Sequence, residues 1–334
     1  MRELRVGFGS ALEFWRRARA ALPARPCPEP DGKTYGQRAL PLRGQVKAAL
    51  AACAVDGPLD VACDDAAHRH THELLVDHVW TGPLGSDHLL LLGDGVSVCR
   101  MPVVLVQLAQ SLDEIEIAEI ALEMTGTYGI APWTDEGMVG DLAPLVDPAE
   151  LRGYATACRA LGVRGASRAC RALRLVVPNS NSPRESDVAI ALGLSRSRGG
   201  LMLEGFEMNR AIRLPRELSE QLGQSTVIPD FSWNGRTLVE YDSRFAHDTP
   251  ESRARDERKR RAYQSFGYDC LTLTNEILRS NQRYEWFAED LQRSLGIVRR
   301  PLTPKMEACR RQLRERLFGI ESEEAALSAL ASGR

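Results

Sequence analysis

A chain of 334 residues with 43% hydrophobic and 26% charged content has ample material for two buried cores. No apolar run approaches the roughly 20 residues that span a bilayer and no apolar leader opens the sequence, so a cytoplasmic protein without membrane contact is expected. Net charge is −2 but uneven: residues 1–150 hold 12 Lys or Arg against 22 Asp or Glu, and residues 151–334 hold 31 against 23, so only the later part suits a polyanion.

In chain order, Ser10 reads as the N-cap of a helix reaching about Ala21, and Pro23 to Pro30 as an extended linker. Residues 44–53 have a helical pattern. Short strands are expected over 58–64, 74–80, 87–92 and 96–99, and helices near 102–110 and 113–126, which makes residues 1–147 a small α+β module. His68, His70 and His72 alternate along one stretch with His78 and Cys63 nearby; they are either zinc ligands or part of an exposed polar connection. The eight cysteines form no CxxC pair, so reduced thiols are expected rather than a disulfide framework. Residues 148–178 predict two short helices carrying Arg152, Arg159, Arg164, Arg168, Arg171 and Arg174, a connector that either flanks a nucleic acid or is simply solvated.

A second domain is expected over 179–297. Ser182 is a suitable N-cap and Pro183 a suitable first residue for a helix to about Leu192. On it, Glu185 lies among Val188, Ala189 and Leu192, either facing inward and needing a partner or as a first-turn acid favoured by the helix dipole. A strand candidate runs from Phe206 to Leu214. Next, Asp230 opens a β-rich run, Asn234-Gly235 mark a turn, and Thr237 to Tyr241 form a second run that ends in acids. A two-residue loop would put Asp230 on the face of Val239. A three-residue loop, Trp233-Asn234-Gly235, pairs Asp230 with Leu238 and puts it on the face of Glu240 and Asp242. This second register is the expected one, because diagonal neighbours about 7 Å apart bring both carboxylates within reach of one hard cation.

A basic helix is expected from Thr249 to Phe266, followed by a strand at Asp269 to Thr274 and a helix from Asn275 to about Leu295. That order beside a hairpin predicts an α/β domain with a mixed sheet flanked by helices. Residues 298–334 add a helix with Met306, Cys309, Leu313 and Leu317 along an apolar stripe and Arg310, Arg311, Arg314 and Arg316 around it, suited to docking or dimerisation, and then a frayed tail.

Pro229-Asp230, Glu240-x-Asp242 and His247, with the basic helix and strand that follow, are similar to the PD-(D/E)XK nucleases of the restriction-endonuclease-like superfamily. The branch related to very-short-patch-repair endonucleases is the nearest in pattern, since Glu185 matches a Glu that its members carry on a preceding helix. The resemblance implies a restriction-endonuclease-like fold, DNA as substrate, and Mg²⁺ (or Mn²⁺) held by Asp230, Glu240 and the Tyr241 carbonyl, with Glu185 acting through water. It assigns Arg255, Lys259 and Arg260 to phosphate. The Lys usually found two residues after the Glu is Asp242 here, which leaves Asp242 or His247 to serve as base, and the Gly of a Glu-x-Asp-Gly core is Ser243. Residues 1–147 resemble AbiEi-type antitoxins through Ser10-Ala11-Leu12-x-x-Trp15, His78-Val79-Trp80 and Glu123-x-x-Gly126-Thr127-Tyr128, without a preceding winged helix. Together these imply a metal-dependent endonuclease or, alternatively, a degenerate nucleic-acid-binding regulator of the antitoxin type, with a second copy or a toxin-like protein as partner.

Overall fold

A computed structural model describes residues 3–20, 43–69, 73–242 and 260–319, the side chain of His68 excepted. The chain divides into two compact units, Met1–Val176 and Val177–Arg334. No helix among the described residues is long and apolar enough to cross a membrane.

The first unit is built on a five-stranded mixed sheet in the order Leu75–Val79, Leu59–Cys63, Leu4–Val6, Val96–Cys99, Leu89–Gly93. Four of these strands lie where the residue pattern puts them. The central one, Leu4–Val6, escapes sequence reasoning because three residues carry too little periodicity. It runs antiparallel to Leu59–Cys63 and parallel to Val96–Cys99, with Leu4 and Val6 fully buried.

The next helix, Phe8–Ala20, begins before Ser10, which corrects the expected cap. Asp60 on the neighbouring strand does the capping instead: its Oδ2 accepts the backbone N–H and the hydroxyl of Ser10, both at 3.2 Å. The helices Pro148–Ala160 and Ala166–Ala172, expected as a connector, fall within this unit. Tyr154 donates its hydroxyl to the Pro83 carbonyl at 2.5 Å, Arg168 donates to the carbonyls of Ala109 and Leu112, and Arg171 pairs with Glu114 at 2.9 Å. Arg168 and Arg171 are therefore committed inside the unit.

The second unit holds a four-stranded mixed sheet in the order Asp269–Thr274, Thr237–Asp242, Phe231–Trp233, Glu207–Met208. The first pair is parallel and the others antiparallel. Leu238 packs on one face with Leu214, Leu218, Val227, Tyr263 and Tyr268, while Phe231 and Val239 are fully buried on the other. The expected strand over 206–214 is divided. Asn209 takes a left-handed conformation (φ 49°), so Glu207–Met208 joins this sheet while Ile212–Arg213 pairs separately with Thr226–Val227. The helix expected from Asn275 likewise breaks at Ser280, whose hydroxyl accepts the Arg283 N–H and starts the helix Asn281–Ser294. Helix Pro304–Phe318 follows; its Leu313 and Leu317 are buried as the stripe predicts, but so are Arg310 and Arg314, at 5% and 2% exposure.

Candidate active site

The hairpin decides how the acids meet. Its register is Phe231↔Val239, Ser232↔Leu238, Trp233↔Thr237, so the loop is Asn234-Gly235-Arg236. It has three residues, as expected, but lies one position later. Asn234 (φ 49°) and Gly235 (φ 60°) are both left-handed, and the Arg236 N–H closes the turn on the Trp233 carbonyl at 3.0 Å. Arg236 is held by the next strand: its carbonyl accepts the Asp269 N–H at 3.0 Å, and its guanidinium donates to the Phe266 carbonyl and lies 5.7 Å from the Tyr268 ring. Extending this register by one residue places Asp230 opposite Glu240 rather than opposite Leu238. Asp230, Glu240 and Asp242 share a face, as the expected parity requires.

Asp230 Oδ2 accepts the Tyr241 N–H at 2.6 Å, which ties the acid to the strand end that carries Glu240. Burial, with the negative charges of Glu185 and Glu240 nearby, pushes its carboxyl up to about 7, although the Tyr241 bond acts in the opposite direction. On the same face, two residues on, the Ser232 hydroxyl is buried with no hydrogen-bond partner among the described residues.

Glu185 reaches this neighbourhood from the start of helix Pro183–Gly193, where Ser182 is the N-cap. Its oxygens are engaged. Oε1 accepts from the Ser182 hydroxyl at 2.9 Å, and Oε2 accepts from Asn181 N at 2.9 Å and Asn209 Nδ2 at 2.6 Å. The first-turn reading of Glu185 therefore accounts for its bonds, while its charge still bears on Asp230. Asn209, which sequence reasoning did not single out, links the two acids: it also donates Nδ2 to the Asn179 carbonyl and its N–H to the Asp230 carbonyl. A polar residue that tolerates positive φ, interrupting an apolar run, was the available signal.

Tyr241 projects to the opposite face, where its hydroxyl donates to Asn275 Oδ1 at 2.8 Å. Burial raises its pKa, while Arg184, Asn275 and Arg279 act against that rise. Arg260 is exposed at the start of a helical stretch over 260–265. His247, Arg255 and Lys259 lie outside the described residues, as do Ser243, His70 and His72.

Among the described residues no group of three or more His, Cys, Asp and Glu side chains is arranged to hold a metal ion. In the first unit this applies to Cys63 and His78. The Cys63 thiol donates to the Asp65 and His78 carbonyls, and His78 Nε2 meets Asp60 Oδ1 at 2.8 Å while its ring stacks on Phe8. At the hairpin, two facing carboxylates and a carbonyl remain. This donor set suits a hard cation that keeps most of its waters.

The raised pKa of Asp230 gives a direct test. The unfolded chain ionises an aspartate near about 4, and the folded chain holds this proton more tightly. The stabilising contribution of the proton is therefore complete below about 4 and falls as pH rises through about 7. Asp230→Asn removes the penalty and can still accept the Tyr241 N–H. In metal-free buffer it is expected to exceed the parent in stability at pH 8 by about 1–2 kcal/mol, after allowance for solvent screening, and to match it near pH 4.5. Equal denaturation midpoints at pH 8 would refute the assignment.

No family model matches the chain, and no curated protein or solved structure was found to match it.

Proposed function

We propose that the second unit is a metal-dependent nuclease-like domain acting on DNA, with Asp230 and Glu240 holding Mg²⁺ or Mn²⁺. The observation that carries this reading is the half-buried Asp230 opposite Glu240 with Glu185 behind it, an acid that no cationic side chain among the described residues offsets. Such an ion, when bound, supplies Lewis-acid polarisation of a phosphate and lowers the pKa of a coordinated water. Asp230 and Glu240 offer facing carboxylates, and the Tyr241 carbonyl is the third oxygen on this strand end. Glu185, held by its cap and by Asn209, would act through water. Asp242, on the Glu240 face, and His247 are the candidate bases in place of the missing lysine. Arg260, with Arg255 and Lys259, neutralises phosphate.

Calorimetric titration of Mg²⁺ and Mn²⁺ into the parent and Glu240→Gln, with plasmid nicking on the same samples, tests this. Saturable cation binding lost in Glu240→Gln is expected, with nicking reduced at least about 100-fold, the scale on which a group that works in the transition state is felt. No cation binding by the parent overturns it.

Two observations favour a second reading, a degenerate nuclease fold serving as an antitoxin-type regulator: Asp242 stands where the lysine would be, and the Glu185 oxygens are already engaged. Salt-sensitive, metal-independent DNA binding that survives Glu240→Gln is its expected signature.

A further inference from the structure

Two late helices of the second unit border a cavity. On Asn281–Ser294, the residues Gln282, Glu285, Trp286 and Glu289 recur at three- and four-residue spacing and share one side; on Pro304–Phe318, Glu307, Arg310, Arg311 and Arg314 do the same. With Arg299 they line a cavity of about 480 Å³, within the size range of small-molecule sites.

The charges around it are unequally committed. Arg310 Nη1 meets both oxygens of Glu285 at 2.9 Å, and Arg299 pairs with Glu285 at 3.0 Å and with Glu289. These two cations and two anions balance one another. Arg314 differs. At 2% exposure, it donates to the neutral oxygens of Asn281 Oδ1 and Leu278, its guanidinium lies 4.7 Å from the Tyr284 ring, the charges of Glu285 and Glu315 act on it only from a distance, and its Nε has no hydrogen-bond partner among the described residues. A guanidinium buried without a carboxylate in contact is unfavourable unless another anion reaches it. Arg311, three residues before it on the cavity side, is exposed and forms no ion pair among the described residues. Glu307, also exposed, is the remaining anion, so the uncommitted charge around the cavity is one positive unit. Trp286 adds an indole that is 54% exposed.

Guanidinium groups match the oxygens of a phosphate, and an exposed indole offers a face on which a planar base stacks. We propose that this cavity binds a nucleoside 5′-phosphate, with its phosphate at Arg311 and Arg314 and its base on Trp286, either as a free nucleotide or as the 5′ end of an oligonucleotide. None of these residues belongs to the hairpin, so the assignment stands apart from the nuclease reading.

The test is calorimetric titration of the full chain in EDTA, which keeps divalent cations out, with AMP, adenosine, inorganic phosphate, and a short oligothymidine with and without a 5′-phosphate. Saturable AMP binding is expected, weaker by about ten-fold or more in Trp286→Ala and in Arg311→Ala, the scale of one stacked base or one charge-assisted contact. Adenosine and phosphate are each expected to bind at least about ten-fold more weakly than AMP. Oligothymidine that binds as tightly as AMP only when 5′-phosphorylated assigns the site to strand ends; failure of both oligonucleotides to bind while AMP binds assigns it to free nucleotides. Both variants alter exposed side chains, so folding is not the issue, and circular dichroism checks it. Absence of saturable AMP binding, or AMP binding indifferent to both variants, overturns the proposal, as does phosphate binding as tightly as AMP.

Discussion

Arg19→Ala is expected to destabilise the first unit by about 3 kcal/mol, because four carbonyl groups lose this donor at once and a buried carbonyl left unpaired costs roughly 1–3 kcal/mol, although the Glu123 carbonyl keeps the Gly126 N–H. Arg19 is 5% exposed. Its Nε donates to the Ala143 carbonyl at 2.9 Å, Nη1 to those of Glu123 and Tyr128 at 2.8 Å, and Nη2 to that of Gly126 at 2.6 Å. Burial lowers the pKa of Arg19, with the charge of Glu123 opposing that effect. The guanidinium thus fastens the end of helix Glu114–Thr125 and the chain after it to the first helix. Arg17→Ala is the control: Arg17 is partly exposed, pairs with Glu13 at 2.6 Å and lies 4.5 Å from the Trp133 ring, so its loss is expected to cost no more than about 1 kcal/mol. Denaturant titration of the full chain, read by fluorescence and by hydrogen exchange in residues 114–130, separates the two. Equal losses would show that Arg19 is not the fastening.

Gly200→Ala is expected to cost the second unit about 3 kcal/mol or to prevent its folding. An added Cβ would lie 2.0 Å from the Leu194 carbonyl oxygen and 2.5 Å from its carbon, and these are backbone atoms that cannot turn aside. The surrounding chain is fixed as well. Met202 N donates to the Leu194 carbonyl, Leu203 N to that of Leu192 and Leu201 N to that of Ala191, which folds the segment back on helix Pro183–Gly193. From the other side, Arg310 donates to the carbonyls of Gly199 and Gly200. Relieving the clash breaks some of these bonds, at about 1 kcal/mol each in net terms. Gly205→Ala is a useful comparison, since Gly205 has open space around it and only its positive φ opposes a side chain, a cost of about 1–2 kcal/mol. A Gly200→Ala protein no less stable than Gly205→Ala would contradict the packing described.

Much of this architecture was legible as pattern. The strands at 59–63, 75–79, 96–99 and 269–274 follow from short β-branched or apolar runs, and the helix at Pro183 follows from Ser182 and Pro183 together. The shared face of Asp230, Glu240 and Asp242 was also legible, because strand alternation is local and the parity of the loop fixes it. Legibility ended where a residue's partner lies far along the chain. The exact hairpin pairing depended on Arg236, whose contacts are about thirty residues on, and the division of the 206–214 run depended on Asn209 meeting Glu185.

The amino-acid sequence by itself determined where most of the longer helices and strands form and which acids can share a face, since periodicity and turn chemistry act over a few residues. The tertiary structure alone decided which polar groups are committed. Asp60 caps a helix it is remote from, Arg19 takes four carbonyls, and Glu185 is satisfied by its own cap and by Asn209. Asp230 is instead packed among like charges, and Arg314 is buried with no carboxylate in hydrogen-bond contact among the described residues. Desolvation and Coulomb energies depend on what surrounds a charge in space, and chain order does not carry that information.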